Sequence, residues 1–336
     1  MIPIQELRSQ AVNEPIRNLI RQNLETTKIV IGQLDPNGLC NAGCWYCPVK
    51  YESNPSEFIN QMTPDELDLI LRRIREATVV DQEKFWFLYT ANYNEVLLWK
   101  HFDLLPEILR KNSFKSMILS NGTTLSPAKT DVIMANTDVF LDICLNIPSL
   151  EKIDWAEKAG FDEKTYSILV RNLTYLNENA KIPVTVNINV ISEHWAGDLK
   201  TYGYYTPTLR AKMFADSFKK QFPNFETLIA DALVDRAGWL AKENVLKNKR
   251  AIMGPNQKVI GCQHDLETSG SRIYGWLHIN AKGDIFLCCD DYQMKYRFGN
   301  LLETSLDELW LSERHVDMIE QSFSELCVSC CHHVTS

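Results

Sequence analysis

Three cysteines spaced C-x3-C-x2-C, Cys40-Asn-Ala-Gly-Cys44-Trp-Tyr-Cys47, closely follow the apolar run Ile29-Val30-Ile31-Gly32-Gln33-Leu34. Such a run reads as a buried strand, which puts the cysteines on the loop leaving it. On that loop three thiolates can converge on one metal centre. Their number restricts the chemistry. A closed zinc site takes four protein ligands, and so does a [4Fe–4S] cluster that only carries electrons. Three ligands leave one position for something exchangeable. A zinc knuckle with a distant fourth ligand is the competing reading.

From about residue 27 the chain alternates strand-like and helix-like segments. The strand candidates are 28–34, 84–89, 115–119, 139–145, 183–191 and 227–230. Thr63-Pro64-Asp65-Glu66 is a capping box with proline at the first helical position, continued by Leu67, Ile70, Leu71 and Ile74. Further helices are expected from Ser126-Pro127, over 163–179 and over 207–221. Ile16, Leu19, Ile20 and Leu24 share one face of a short helix after Pro15, expected to pack on the main domain. This alternation argues for a parallel sheet with crossover helices, whose sites gather at the carboxyl ends of the strands. Residues 273–279 and 284–288 read as a hairpin around Asn280-Ala-Lys-Gly283. The expected organisation is a helical lead-in over 1–26, an α/β domain over 27–231, a basic helical connector over 232–260 and a cysteine-rich module over 261–336.

A net charge of −8 lacks the basic footprint of a nucleic-acid binder. No apolar run approaches the ~18 residues of a membrane span, and no signal peptide is visible, so a cytoplasmic location is expected. Ten cysteines in a reducing compartment point to metal rather than disulfides. Six fall late: Cys262, Cys288, Cys289, Cys327, Cys330 and Cys331. Cys144 stands alone and reads as a small buried hydrophobe.

With Tyr46 before the third cysteine, the first motif resembles the signature of radical S-adenosylmethionine (SAM) enzymes. The resemblance implies a partial (β/α)6 TIM-like barrel and a [4Fe–4S] cluster on Cys40, Cys44 and Cys47 whose open iron binds SAM. It further implies reductive cleavage of SAM to a 5′-deoxyadenosyl radical that abstracts a hydrogen atom from substrate. Asn94-Glu95-Val96 is similar to the family's GGEP motif, with Glu95 matching its Glu and Asn94 its second Gly. Ser120-Asn121-Gly122-Thr123 looks like the T/S-N-G turn near SAM. Cys144 and Asn146 occupy the positions of Ser-x-Asp, Asn189 matches a ribose contact, and Tyr46 would offer its backbone to adenine.

The spacing Cys262-x25-Cys288-x38-Cys327-x2-Cys330, with Phe298-Gly299-Asn300-Leu301 and Ser305-Leu306-Asp307-Glu308-Leu309-Trp310, resembles the SPASM/Twitch extension. The implied module is a small cysteine-rich hairpin and helix holding one auxiliary [4Fe–4S] cluster on Cys262, Cys288, Cys327 and Cys330. A full SPASM domain holding two clusters uses seven cysteines, whereas this region has six. Structural zinc, with His332 and His333 as further ligands, stays open. Cys289 and Cys331 are spare thiols, either packing or hydrogen donors to a substrate radical.

These readings converge on an enzyme with two clusters and SAM, supplied by a flavodoxin- or ferredoxin-type reductant. It would act by oxidation or epimerisation. Fewer than 30 residues precede the first strand, which tilts the expectation from a peptide toward a small polar substrate, a sugar or amino-acid derivative. Trp195, Tyr202, Tyr204, Tyr205 and Trp239 are candidate cavity aromatics. A peptide-modifying maturase, an iron–sulfur electron carrier and a zinc-stabilised binding module are the alternatives.

Overall fold

The computed structural model describes residues 15–47, 59–89, 94–187, 209–228, 237, 257–262, 272–330 and 332–336. The strands are β1 (Ile31–Leu34), β2 (Trp86–Tyr89), β3 (Ser116–Ser120), β4 (Phe140–Asn146), β5 (Val184–Asn187), β6 (Glu226–Leu228), β7 (Val259–Cys262), β8 (Trp276–Ile279), β9 (Asp284–Phe286), β10 (Arg297–Asn300) and β11 (His333–Thr335). The helices are α1 (Ile16–Thr26), α2 (Pro64–Glu76), α3 (Leu105–Lys111), α4 (Pro127–Met134), α5 (Lys152–Ala159), α6 (Thr165–Asn179), α7 (Leu209–Gln221), α8 (Leu306–Trp310) and α9 (Glu313–Ser324).

One open sheet takes the order β10-β9-β8-β1-β2-β3-β4-β5-β6. Strands β1 to β6 pair in parallel and in chain order. Parallel neighbours need a crossover, and helices α2 to α7 lie in those crossovers. The capping box forms as expected: Thr63 Oγ1 accepts from the Glu66 amide, and Glu66 Oε2 accepts from the Thr63 amide at 2.7 Å. Phe87, Ile118, Phe140, Ile143, Leu145, Val184 and Val186 fill one side of the sheet, packed with Leu67, Ile70, Leu109, Leu169 and Leu173 from the helices. Register assigns the other face of β3–β5. Met117 pairs with Asp142, Cys144 with Leu119 and Thr185, and Asn146 with Asn187.

The C-terminal hairpin continues this sheet. Strand β8 lies parallel to β1, with Ile31 opposite Trp276 and Leu34 opposite Ile279, and β9 and β10 follow antiparallel. One expectation is corrected, and two features go beyond the sequence reading. Residues 272–275 form a helical turn, so the first hairpin strand begins at Trp276. Helix α5, absent from the sequence reading, occupies the β4–β5 crossover ahead of α6. Helix α1 buries Ile20 and Leu24 in the main core, but Arg17 and Arg21 also pair with Glu313, Asp317 and Glu320 of α9. Strands β7 and β11 form a separate antiparallel pair. Among the described residues no helix is long and apolar enough to cross a membrane.

Candidate functional site

Strand β1 ends at Leu34, and the chain turns through Asp35-Pro36-Asn37-Gly38 into the cysteine loop. Asn37 fixes the turn: its Oδ1 accepts from the Leu39 amide at 2.8 Å, an Asx turn. Its Nδ2 donates to Asn94 Oδ1 at 2.9 Å and to the Glu95 carbonyl at 3.2 Å, and the Glu95 amide donates to Leu39 O. The far side of the loop docks on the end of α5. The Gly43 and Trp45 amides donate to the carbonyls of Ala159 and Lys158, two acceptors that the helix itself leaves unpaired. Gly160, at φ +71°, ends that helix in the left-handed region. A Cβ there would lie 2.4 Å from the Gly43 carbonyl oxygen. Two glycines thus let loop and helix end touch.

Cys40, Cys44 and Cys47 are partly exposed residues on this loop. Burial of the thiols, then the Glu95 charge, pushes Cys40 well above the usual thiol range. Burial and the neighbouring Cys47 push Cys44 up to about 12, with the Tyr46 side chain pulling in the opposite direction. Metal binding requires thiolates, so a cation joining these thiols must displace their protons. Among the described residues no three His, Cys, Asp or Glu side chains are gathered tightly enough to share one metal ion. Ligands of a single tetrahedral zinc meet within about 3.8 Å at Zn–S of ~2.3 Å. Cluster cysteines each hold a separate iron and need no such closeness.

Beside the thiols lies a buried polar ladder from β2 and β3. Glu95 is 2% exposed; its Oε2 accepts from the Asn121 amide at 3.0 Å, while Oε1 makes no hydrogen bond. Burial lifts its carboxyl above the usual range, against the pull of that amide. Asn94 Nδ2 is likewise buried without an acceptor. Asn121 Nδ2 donates to Asn41 Oδ1, and Asn41 Nδ2 donates to Thr123 Oγ1, which ties the Asn-Gly turn to the cysteine loop. Gly122, at φ +80°, permits that turn, and Ser120 Oγ accepts its amide. Asn172 of α6 supports the turn from below by donating to the carbonyls of Gly122 and Thr123. Glu95 Oε1 and Asn94 Nδ2, on consecutive residues, are thus both buried without a partner, one an acceptor and the other a donor open to a ligand with complementary polar groups.

The predicted residues therefore assemble in part. Tyr46 lies on the cysteine loop itself, and Asn94, Glu95 and Asn121 bond to the loop or the turn that leads into it. Ser120 holds the Gly122 turn, and Asn146 closes the carboxyl end of β4 opposite Asn187. Asn189, Cys331 and the five candidate cavity aromatics lie outside the described residues. Sequence reasoning missed Asn37, Asn41, Asn172 and Gly160. The Asp-Pro-Asn-Gly turn signal pointed to Asn37; nothing local marks Asn172, whose role is set by packing.

The late cysteines gather elsewhere. Cys288 follows β9, which runs back along β8, so Cys288 stands level with Trp276 at the amino end of β1. Strand β1 is four residues long, about 13 Å at ~3.3 Å per residue, and separates this group from Cys40–Cys47. Pairing of β7 with β11 brings Cys262 opposite His333, and Cys330 N donates to Cys327 O. Cys327 and Cys288 lie in each other's electrostatic reach, and Cys262 in that of Cys327. Burial lifts Cys288 strongly and Cys327 up to about 12. Cys289 is buried beside Cys288. A separate cleft of about 550 Å³, lined by Ile16, Lys258, Ile260, Phe323 and Val328 among others, carries none of these ligands.

The SPASM family, an iron–sulfur cluster-binding domain, matches residues 271–331, so the C-terminal module is a domain of that family. No curated protein matches the chain in sequence. Solved structures do match its fold. BtrN in complex with AdoMet and 2-DOIA is 14% identical, with a TM-score of 0.52 over 91% of this chain and 92% of that one. Native anSMEcpe with bound AdoMet is 16% identical, with a TM-score of 0.56 over 90% and 88%. Streptococcus suis SuiB bound to the precursor peptide SuiA is 14% identical, with a TM-score of 0.58 over 94% and 72%. The architecture is the partial barrel of these proteins.

Proposed function

We propose that this chain, with the radical SAM fold and a C-terminal SPASM domain, is a radical SAM enzyme that oxidises a small polar substrate, a sugar or amino-acid derivative. The observation that carries the reading is the three-thiol loop packed against the buried Glu95 and Asn94, whose Oε1 and Nδ2 are left without partners. Cys40, Cys44 and Cys47 would hold a [4Fe–4S] cluster and leave one iron for SAM. Glu95 Oε1 would accept from the SAM ammonium and Asn94 Nδ2 would donate to its carboxylate. Asn121, Ser120, Asn146 and the Tyr46 backbone would line the nucleoside side, with Asn189 as a further contact. When bound, the cluster and SAM supply a 5′-deoxyadenosyl radical for hydrogen abstraction, with the electron drawn from a flavodoxin- or ferredoxin-type partner.

The small polar substrate is supported by the sheet face turned away from the helices. There Asp142, Cys144, Asn146, Thr185 and Asn187 stand together, and Asn187 Nδ2 donates to Cys144 Sγ at 2.9 Å. Burial raises the Asp142 carboxyl, and its Oδ1 is unpaired, as suits an acceptor for substrate hydroxyl or ammonium groups. A peptide is the alternative substrate, since SuiB and anSMEcpe were solved with peptides. Cys262, Cys288, Cys327 and Cys330 would hold an auxiliary cluster with no open iron, which favours oxidation. Epimerisation is the second reading, favoured by Cys144. Its thiol, pushed up to about 12 by burial, stays protonated on the substrate face.

Iron and acid-labile sulfide per chain test the assignment after anaerobic reconstitution. About eight irons are expected in the wild type and about four in a Cys40/Cys44/Cys47→Ala variant. Reductant-dependent formation of 5′-deoxyadenosine should vanish in that variant. Zinc in place of iron, or 5′-deoxyadenosine formation that survives the triple substitution, would refute the reading. Solvent deuterium appearing at a substrate carbon would favour epimerisation over oxidation.

A further inference from the structure

Arg272 opens the helical turn that leads into β8, and Asp290 follows the end of β9. Between these two outer ends of the hairpin, Arg272 Nη1 meets Asp290 Oδ2 at 3.2 Å, with side-chain exposures of 8% and 2%. The same Asp290 oxygen faces Cys330 Sγ at 3.8 Å. The Asp290 charge is also felt at Cys288 and Cys327, where it adds to the effect of burial. On its other side the guanidinium lies over the Trp276 ring at 5.6 Å. A buried ion pair is weak support for stability, because desolvation offsets its attraction, so its position needs another reason.

Four thiolates around a [4Fe–4S] cluster leave net negative charge, which one-electron reduction increases. Asp290 adds another negative group beside Cys330, and Arg272 is the cation that faces it. Both sit in a dry region where screening is weak. We propose that the Arg272–Asp290 pair sets the reduction potential of the auxiliary cluster, with Arg272 stabilising the added electron and Asp290 limiting that effect. This rests on the assignment of Cys262, Cys288, Cys327 and Cys330 as ligands. In it Arg272 and Asp290 are positioning residues, not ligands. Charge near a cluster is one of the protein's means of tuning its potential.

The test uses the full-length Cys40/Cys44/Cys47→Ala chain, in which only the auxiliary cluster can form. Its potential is read by dithionite titration followed by electron paramagnetic resonance. Arg272→Gln should make the cluster harder to reduce, and Asp290→Asn should make it easier. Arg272→Lys should restore a potential near the parent's. All three should keep about four irons. Absence of iron from the parent triple variant would sink the cluster assignment and this inference with it. Iron retained with unshifted potentials, or with both shifts in one direction, would overturn the inference alone. Iron lost from Asp290→Asn but kept in Arg272→Gln would make Asp290 a ligand and overturn the positioning role. Iron lost from both would leave the pair a structural pin of the hairpin, which also overturns it.

Discussion

Replacing Gly160 by alanine should cost this protein the cluster proposed for Cys40, Cys44 and Cys47 as well as some stability, because two effects coincide at one atom. The left-handed φ of +71° strains any residue with a Cβ by about 1–2 kcal/mol. The new methyl would also lie 2.4 Å from the Gly43 carbonyl oxygen, a backbone atom that no rotamer change can move. Relief requires the cysteine loop to lift from the end of α5. That breaks the hydrogen bonds from Gly43 N to Ala159 O and from Trp45 N to Lys158 O, each worth about 1 kcal/mol. The expected loss is about 3–4 kcal/mol in all. Gly283 supplies the control. Its φ is +83°, and a Cβ there meets the Leu302 side chain at 2.9 Å, far from the loop in sequence and able to yield. Gly283→Ala should cost about 1–2 kcal/mol. Urea unfolding of the apoproteins gives the two stabilities, and iron per chain after reconstitution gives the consequence. Gly160→Ala should lose about four irons and Gly283→Ala none. Equal destabilisation of the two variants, with full iron in both, would refute the claim that α5 holds the cysteine loop.

Glu95→Gln should leave the iron content unchanged and weaken SAM binding about 10- to 100-fold, as expected for loss of one charge-assisted hydrogen bond, measured by equilibrium dialysis. Asn172→Leu strips the Gly122 and Thr123 carbonyls of a buried donor and should lower stability by about 2–4 kcal/mol, seen as a shifted urea midpoint. Burial holds His315 near a pKa of about 3 despite its bond to the Trp310 carbonyl. A depressed folded pKa makes the unfolded chain the better proton binder below ~6.5. Stability is therefore full above that pH and should fall by about 2 kcal/mol from this group between pH 7 and 5. His315→Phe should flatten that segment of the stability–pH profile; an unchanged slope would refute the assignment. Thr63→Ala, at the exposed capping box, should cost about 1 kcal/mol with no change in iron.

Much of the architecture was legible in the chain because it is local. Apolar runs bounded by turns gave the six parallel strands to within a few residues, and Thr63-x-x-Glu66 and Ser126-Pro127 marked helix starts that the structure keeps. Thiol spacing located the C-x3-C-x2-C loop, and Glu95 and Asn121, proposed separately, meet at 3.0 Å. Helix α5 escaped notice because its eight residues mix charge with only a short apolar face. What the sequence by itself determined was pattern tied to spacing: where the thiols fall along the chain, which strands alternate with helices, where caps fall. What only the tertiary structure decided was proximity between distant segments. It laid β8 on the free edge of β1 and set the two cysteine groups at opposite ends of that strand. It also closed Arg272 on Asp290 and brought Gly160 against Gly43. Those contacts are set by burial and shape complementarity, which are non-directional and leave no periodic trace in the sequence.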